Sequence, residues 1–215
     1  MTLDLTGRVA RGDLTLDIDL HLSAGLTAIT GANGSGKTTL LRVIAGFERI
    51  DAGELTIDGE VIDTSGAGPI SAAHERPVTM MFQDHRLFDH LSAVDNVAFA
   101  ARRRRTPRAE ARQTAMSHLE AVGMAPLADA RPRALSLGQR QRVALARTLA
   151  APTRVALLDE PFAAIDESGR AAVRALLPAV DATYVLWVTH DPADATVATQ
   201  HVSVDRGVVR QTLTR

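Results

Sequence analysis

Gly31-Ala32-Asn33-Gly34-Ser35-Gly36-Lys37-Thr38 follows the pattern G-x-x-x-x-G-K-[ST]. Glycines let a backbone curl until successive N–H groups converge on phosphate oxygens, and the helix that follows turns its positive end to the same place. In such a cradle Lys37 reaches the β- and γ-phosphates of a nucleotide, and the Thr38 hydroxyl ligates Mg²⁺. The competing reading is a flexible loop that matches by accident. Its position, between an apolar strand and a helix of apolar periodicity, weighs against that.

Two further segments carry chemistry. Val155-Ala156-Leu157-Leu158-Asp159-Glu160 reads as a buried strand ending in two carboxylates. Strand ends on that side of a parallel sheet face the crevice that holds a phosphate loop. Asp159 suits a place beside the Mg²⁺, and Glu160 suits orienting or deprotonating an attacking water. Taken alone, the pair is equally a solvated acidic turn; the cradle upstream favours the functional reading. In Leu135-Ser136-Leu137-Gly138-Gln139-Arg140-Gln141-Arg142, Ser136 reads as the N-cap of a helix with Val143, Ala144 and Ala146 near one face. A capped helix start with a serine hydroxyl is a second anion site. Two anion sites in one chain suggest a head-to-tail dimer, each nucleotide lying between one chain's cradle and the other's serine turn.

The elements that must position these groups are legible as alternating strands and helices. Leu14, Leu16, Ile18, Leu20 and Leu22 have the period of a half-buried strand. Leu26 to Thr30 is a strand running into the cradle. Leu40, Leu41, Ile44 and Ala45 have helical spacing, with Gly46 as the stop. GELTIDGEVI, from Gly53 to Ile62, predicts a hairpin turning at Asp58-Gly59, and Val78 to Phe82 a short strand. From Ala93 to about residue 130–135 the chain is alanine- and arginine-rich with no strand signal, which predicts an inserted helical lobe. Strands return at Val155 to Leu158, Tyr184 to Val188 and Val202 to Val204, with helices at about Glu167 to Val180 and Pro192 to Thr199. This order predicts an α/β fold with a largely parallel sheet covered on both faces.

Composition narrows the class. The 215 residues fit one α/β domain with a lobe inserted in it, and 46% apolar with 23% charged residues supply an ordinary buried core. A formal net charge of −1 gives no general attraction to nucleic acid or anionic lipid. Cysteine is absent, which excludes disulfides and thiolate chemistry and fits a reducing compartment. The N-terminal stretch carries acids throughout and no apolar core, unlike a secretory signal. Tyr184 to Val188, the most apolar short run, is far below the roughly 20 residues that span a bilayer. The basic run Arg102 to Arg105 reads as a solvated helical face, since no aromatics interleave it as in a nucleic-acid groove.

With these motifs in this order, the chain resembles the ABC ATPases, P-loop proteins with a mainly parallel sheet core, an antiparallel N-terminal β subdomain and an inserted helical lobe. Leu135 to Gln139 matches their LSGGQ signature except at Leu137, where the first glycine usually stands. The resemblance covers nearly the whole chain, read as a single nucleotide-binding domain over residues 1–215. It implies ATP and Mg²⁺ as ligands, with nucleotide contacts from Gly31, Asn33, Gly34, Ser35, Gly36, Lys37, Thr38 and Thr39. In a dimer it adds Ser136, Gly138, Gln139 and Asp166 from the second copy. Gln83 matches the Q-loop glutamine, which contacts Mg²⁺ or the attacking water and reports nucleotide state to the membrane partner. Thr38, Gln83 and Asp159 are thus the expected metal-side residues, and Glu160, His190, Lys37 and Gln83 the catalytic ones. His190 matches the switch histidine at the γ-phosphate, with Asp191 and Pro192 opening the next helix. The other six histidines are expected in surface or satisfied polar positions. Ala163 stands where the D-loop commonly has serine.

One family element is missing: no Phe, Tyr or Trp precedes Phe47, where an aromatic usually stacks on adenine. Val9, Ala10 and Arg11 occupy the equivalent stretch, so adenine is expected on aliphatic surface or beneath Arg8 or Arg11.

A lone nucleotide-binding chain is typical of importers, where it works on the cytoplasmic face of the membrane with permease subunits and a substrate-binding protein. Ile44-Ala45-Gly46-Phe47, Arg76 to Gln83 and Leu87-Phe88-Asp89-His90-Leu91 most resemble thiamine-importer subunits, with molybdate-importer subunits next. The regulatory C-terminal domain of many molybdate and sugar subunits has no counterpart in this sequence, an expectation that favours the shorter type. Asp84 to Leu91 is the expected seat of the permease, although Leu87, Phe88 and Leu91 equally suit core packing. The alternative is an ABC ATPase of DNA repair or translation. Repair versions insert long coiled coils where 53 positions separate Gln83 from Ser136, and translation versions carry two cassettes.

Overall fold

The computed structural model describes residues 1–66, 68 and 70–213. In chain order the first elements are β1 (Thr2–Arg11), β2 (Leu14–Ser23), β3 (Gly25–Thr30), α1 (Lys37–Ala45), β4 (Ala52–Ile57), β5 (Glu60–Thr64) and β6 (Val78–Met81). There follow α2 (Ala93–Val97), α3 (Phe99–Arg103), α4 (Arg108–Ala121) and α5 (Leu137–Leu149). The last are β7 (Val155–Leu158), α6 (Glu167–Leu176), β8 (Tyr184–Val188), β9 (Gln200–Asp205) and β10 (Val208–Leu213). They group into two compact units, Met1–Val78 with Thr183–Arg215, and Thr79–Ala182.

The first unit is built on strands in the order β5-β4-β1-β2-β10-β9-β3-β8. Alternation sets its faces: Leu16, Ile18, Leu20 and Leu22 of β2 are buried while Thr15, Asp17, Asp19 and His21 point to solvent. β1 has the same alternation in Leu3 and Leu5, which lie opposite Leu22 and Leu20. The strand is less legible in the sequence than β2, because Gly7 interrupts the apolar series Leu3, Leu5 and Val9. Gly7 of β1 faces Gly53 of β4. A methyl group on either would collide with the other strand's backbone, so this close approach requires glycine. The β4–β5 hairpin turns at Asp58-Gly59 as expected, with φ of 55° and 80°, a two-residue turn of left-handed residues.

β3 pairs in parallel with β8 and β9, whereas β1–β2, β1–β4, β4–β5 and β9–β10 are antiparallel. The sheet is therefore mixed, with parallel pairing concentrated around β3. Every residue of β8 is buried, as a strand covered on both faces requires. β8 holds Tyr184 and Trp187, the chain's one tyrosine and one tryptophan. The Tyr184 hydroxyl donates to Asp58 Oδ1 at 2.6 Å. α1 buries Leu40, Leu41, Val43 and Ile44 and stops at Gly46, whose φ of 83° places it in the left-handed region. Beyond that stop, Arg76 donates to the carbonyls of Val43, Ile44 and Ser71 and to Asp63 Oδ2. Both partners of this ion pair are buried.

In the second unit β6 and β7 are neighbours, and helices occupy the stretch read as an inserted lobe, with no strand among its described residues. α4 buries Ala111, Ala115 and Leu119, one face at helical spacing, and contacts α2 and α5. Arg102 to Arg105 are exposed, as expected of a solvated face.

Two helices are shorter than their sequences suggest. α6 ends at Leu176 and continues as a 3-10 turn over Leu177–Ala179, because Pro178 cannot supply a helical N–H. Pro192–Ala195 is only a 3-10 turn; Thr199 N already donates to Leu26 O, drawing the chain toward β9. Among the described residues no helix is long and apolar enough to cross a membrane.

Candidate functional site

In the first unit, β3 delivers the chain into a loop with positive φ at Gly31 (147°), Gly34 (74°) and Gly36 (109°). A methyl on Gly31 would strike the Val204 carbonyl, and one on Gly36 the Leu16 side chain. Lys37 is 6% exposed, and its Nζ donates to the carbonyls of Gly31 and Ala32, each at 2.8 Å. The ammonium is thus held under the loop. Ser35 Oγ is buried with no hydrogen-bond partner, and Gly36 starts α1 without a side-chain cap. An unsatisfied hydroxyl, a confined ammonium and uncapped first-turn amides form a donor set that an anion of phosphate size completes. Thr38 is exposed at this end of α1.

His190 follows β8 as Gly31 follows β3, and Ile29 pairs with Val188 in parallel register. Thr189 N donates to Ile29 O at 3.1 Å, so the two loops leave adjacent strand ends. His190 is exposed there, next to Asp191, which caps the following turn through Ala193 N.

Of the two surfaces expected for adenine, the arginines make other contacts. Arg11 donates to Glu48, Asp51 and the Arg49 carbonyl, which follow the far end of α1 from the cradle. Arg8 pairs with Asp17, and Val9 is buried. Leu14, half-buried, is the side chain that lies with Leu16 against Gly36. Aliphatic surface, not a guanidinium, therefore borders the cradle.

The second unit assembles the acidic and serine segments. Asp159 is 2% exposed at the end of β7, with its N–H donating to Met81 O at 3.0 Å. Glu160 adopts φ 54°, a left-handed conformation that is uncommon outside glycine and costs on the order of 1–3 kcal/mol. Gln83 Nε2 donates to Glu160 Oε2 at 3.4 Å, bringing these two expected residues together. Ser136 caps α5: its Oγ accepts from Gln139 N at 3.3 Å while its N–H donates to Gln139 Oε1 at 2.8 Å. Gly138 leaves no room for a side chain against the Ala164 carbonyl. Leu137 points outward, 54% exposed, so replacing the usual glycine does not distort the capped turn. Asp166 caps α6 by accepting from Gly169 N at 2.8 Å.

Three participants are not evident from sequence. Buried Gln141 donates to the Glu160 carbonyl at 2.7 Å and is bonded to His85. Arg147 donates to the carbonyls of His85 and Arg86, and burial pushes its guanidinium pKa down. No local sequence signal marks them: Gln141 and Arg147 lie on an arginine-rich helix, and His85 in the loop after β6.

For a metal, the described residues hold no group of three or more His, Asp or Glu. Mg²⁺ keeps several waters and takes phosphate oxygens with one or two protein ligands; Thr38 in the first unit, and Gln83 and Asp159 in the second, are each oxygen donors of the kind it takes.

Residues 16–163 match the family model described as ABC transporter. The chain is 40% identical over 213 residues to the molybdenum import ATP-binding protein ModC of Mycobacterium tuberculosis, covering 95% of this chain and 58% of that protein. It is 45% identical over 194 residues to the Fe(3+) ions import ATP-binding protein FbpC of Mesorhizobium japonicum, covering 88% and 52%. It is 43% identical over 204 residues to the sulfate/thiosulfate import ATP-binding protein CysA of Rhodopseudomonas palustris, covering 91% and 57%. The chain thus spans rather more than half the length of these curated relatives. Among solved structures, the dimeric post-hydrolysis ATP-binding cassette MJ0796 bound to ADP and Pi superposes with a TM-score of 0.80 at 25% identity, covering 99% of both chains.

Proposed function

The chain belongs to the ABC transporter family, as an ATP-binding cassette, and from that premise we propose that it is the ATP-hydrolysing subunit of an importer for a small solute. The observation that carries this reading is one chain holding both a lysine-floored phosphate loop and a serine-capped helix start, alongside the Asp159-Glu160 pair.

In this reading two copies face each other head to tail. Gly31 to Thr39 of one copy bind the ATP phosphates, and Ser136, Gly138 and Gln139 of the other close on the γ-phosphate, with Asp166 at the same junction. Glu160, aligned by Gln83, takes a proton from water as its oxygen attacks the γ-phosphorus and the bond to ADP breaks. Lys37 and His190 stabilise negative charge on the transferred group. Thr38, Gln83 and Asp159 would be the residues to hold Mg²⁺, whose charge would offset that of the phosphates.

Closure of the pair moves a separate permease, supplied by a substrate-binding protein, and hydrolysis resets it. The cassette then sits peripherally on the cytoplasmic face. The permease seat is the groove of about 410 Å³ beside Gln83, bordered by Asp84, Arg86, Leu87 and Leu137. Phe88 is drawn into the lobe instead, its backbone bonded by the Asn96 side chain and its ring 4.5 Å from that of Phe99. The imported solute belongs to the small-ion or small-vitamin class. Motif resemblance favours thiamine, and the relatives named for molybdenum, sulfate and Fe(3+) mark the neighbouring choices.

The decisive experiment is sedimentation of the chain carrying Glu160→Gln, with and without magnesium-ATP. A dimer is expected only with nucleotide, and Ser136→Arg in the same background should remain monomeric. A monomer under all conditions, with the permease also supplied, would remove the proposed assembly.

The base site carries its own expectation. With Leu14 rather than an aromatic ring beside the cradle, hydrolysis of ATP and GTP in competition should differ by less than about tenfold, since a purely apolar contact discriminates weakly. Exclusive use of ATP would show that polar groups read the base.

A further inference from the structure

Besides Gln83, Glu160 is gripped within the second unit by a group for which the reaction above has no role. Its backbone carbonyl accepts from Gln141 Nε2 at 2.7 Å, while its carboxylate accepts from Gln83. That bond fixes the Gln141 amide, so its Oε1 is an acceptor, and the atom facing it is Nε2 of His85. His85 must therefore donate. Both side chains are buried, His85 8% and Gln141 3% exposed.

His85 also begins a turn in which it and Arg86 have φ of 61° and 44°. Arg147 accounts for the carbonyls of that turn, at 2.7 Å to His85 and 2.6 Å to Arg86. Gln141 and Arg147 both stand on α5, so the segment after Gln83 is fastened to the signature helix at two points. One of those points continues to Glu160.

We propose that His85 and Gln141 are positioning residues for hydrolysis. They form a hydrogen-bonded relay that runs from the segment after Gln83 to the main chain of Glu160 and holds its left-handed backbone, and hence its carboxylate, in place. This rests on the assignment of Glu160 as the group that activates water. The physical requirement is a donor at the position of His85 Nε2. A neutral ring protonated there and an imidazolium both meet it, so the relay needs a hydrogen bond and not a charge. Misplacing a reacting group by about 1 Å can cost on the order of a hundredfold in rate.

The test is steady-state ATP hydrolysis by the full chain. His85→Gln puts an amide donor near the Nε2 position, whereas His85→Asn puts it near Nδ1. His85→Asn and His85→Leu should lower kcat about ten- to a hundredfold with KM for ATP changed less than twofold. His85→Gln should recover kcat to within about threefold. Gln141→Met should match His85→Leu, and the double variant should be no worse than the poorer single, as expected of two members of one chain of bonds.

Wild-type kcat in His85→Asn and His85→Leu would overturn the relay, as would strictly additive losses or a defect that His85→Gln fails to repair. Should His85→Leu not fold, the contrast between the Gln and Asn variants still decides. Glu160→Gln assayed beside them separates the two claims. Full turnover in that variant overturns the role of Glu160 itself, whereas its loss with unaffected His85 variants overturns the relay alone.

Discussion

Glu160→Gln should lower kcat for ATP hydrolysis about a thousandfold while leaving nucleotide affinity within about twofold. The magnitude follows from removing a general base, typically worth about 10²–10⁴ in rate. The substitution keeps the side chain's size and removes its basicity. A glutamine oxygen can still accept from Gln83, now 3.4 Å from Oε2, and the bond from Gln141 goes to the backbone carbonyl, which the change leaves intact. Asp159 stays buried at the end of β7, and the cradle in the first unit is untouched. Single-turnover kinetics and equilibrium nucleotide binding on the same preparation check both halves of the expectation. Turnover within about threefold of wild type would assign water activation to another group.

Arg76→Met should be the most damaging change for stability, lowering it by roughly 3–5 kcal/mol. The guanidinium and the Asp63 carboxylate are 2% and 1% exposed, 2.5 Å apart. Arg76 also satisfies carbonyls of Val43 and Ile44 at the end of α1, at 2.9 and 3.2 Å. Its loss would strand a buried carboxylate and unsatisfied helix carbonyls together. In a chain of this size the thermal midpoint should fall by roughly 6–20 °C. Removing both charges, as Asp63→Leu with Arg76→Met, should recover much of the loss, because no unpaired charge is then left inside. If the double variant were as unstable as the single one, the carbonyl contacts would be the larger contribution. Since α1 begins at the cradle, a weakened α1 should also raise KM for ATP.

The cradle is legible in the sequence because its chemistry is local: glycine identities, a lysine and a hydroxyl are needed within a few residues of one another. The β4–β5 turn is legible for the same reason, in Asp58-Gly59. β1 is less so, since Gly7 interrupts the apolar series Leu3, Leu5 and Val9, and its pairing with β2 and β4 reveals it. The end of α6 before Pro178, short of the expected Val180, has a local cause, but the shortening before β9 depends on a bond to Leu26 far away in the chain. His85, Gln141 and Arg147 are the clearest case. Each looks like an ordinary surface polar residue, and their significance comes from bonds that meet at His85, which no spacing rule encodes.

Tyr184 and Trp187 lie together on β8, and Trp187 is wholly buried. No other tyrosine or tryptophan exists in the chain. Its near-ultraviolet absorption and intrinsic fluorescence therefore originate, apart from weak phenylalanine bands, in one strand beside β3. A fluorescence melt of this protein therefore reports on the surroundings of β8.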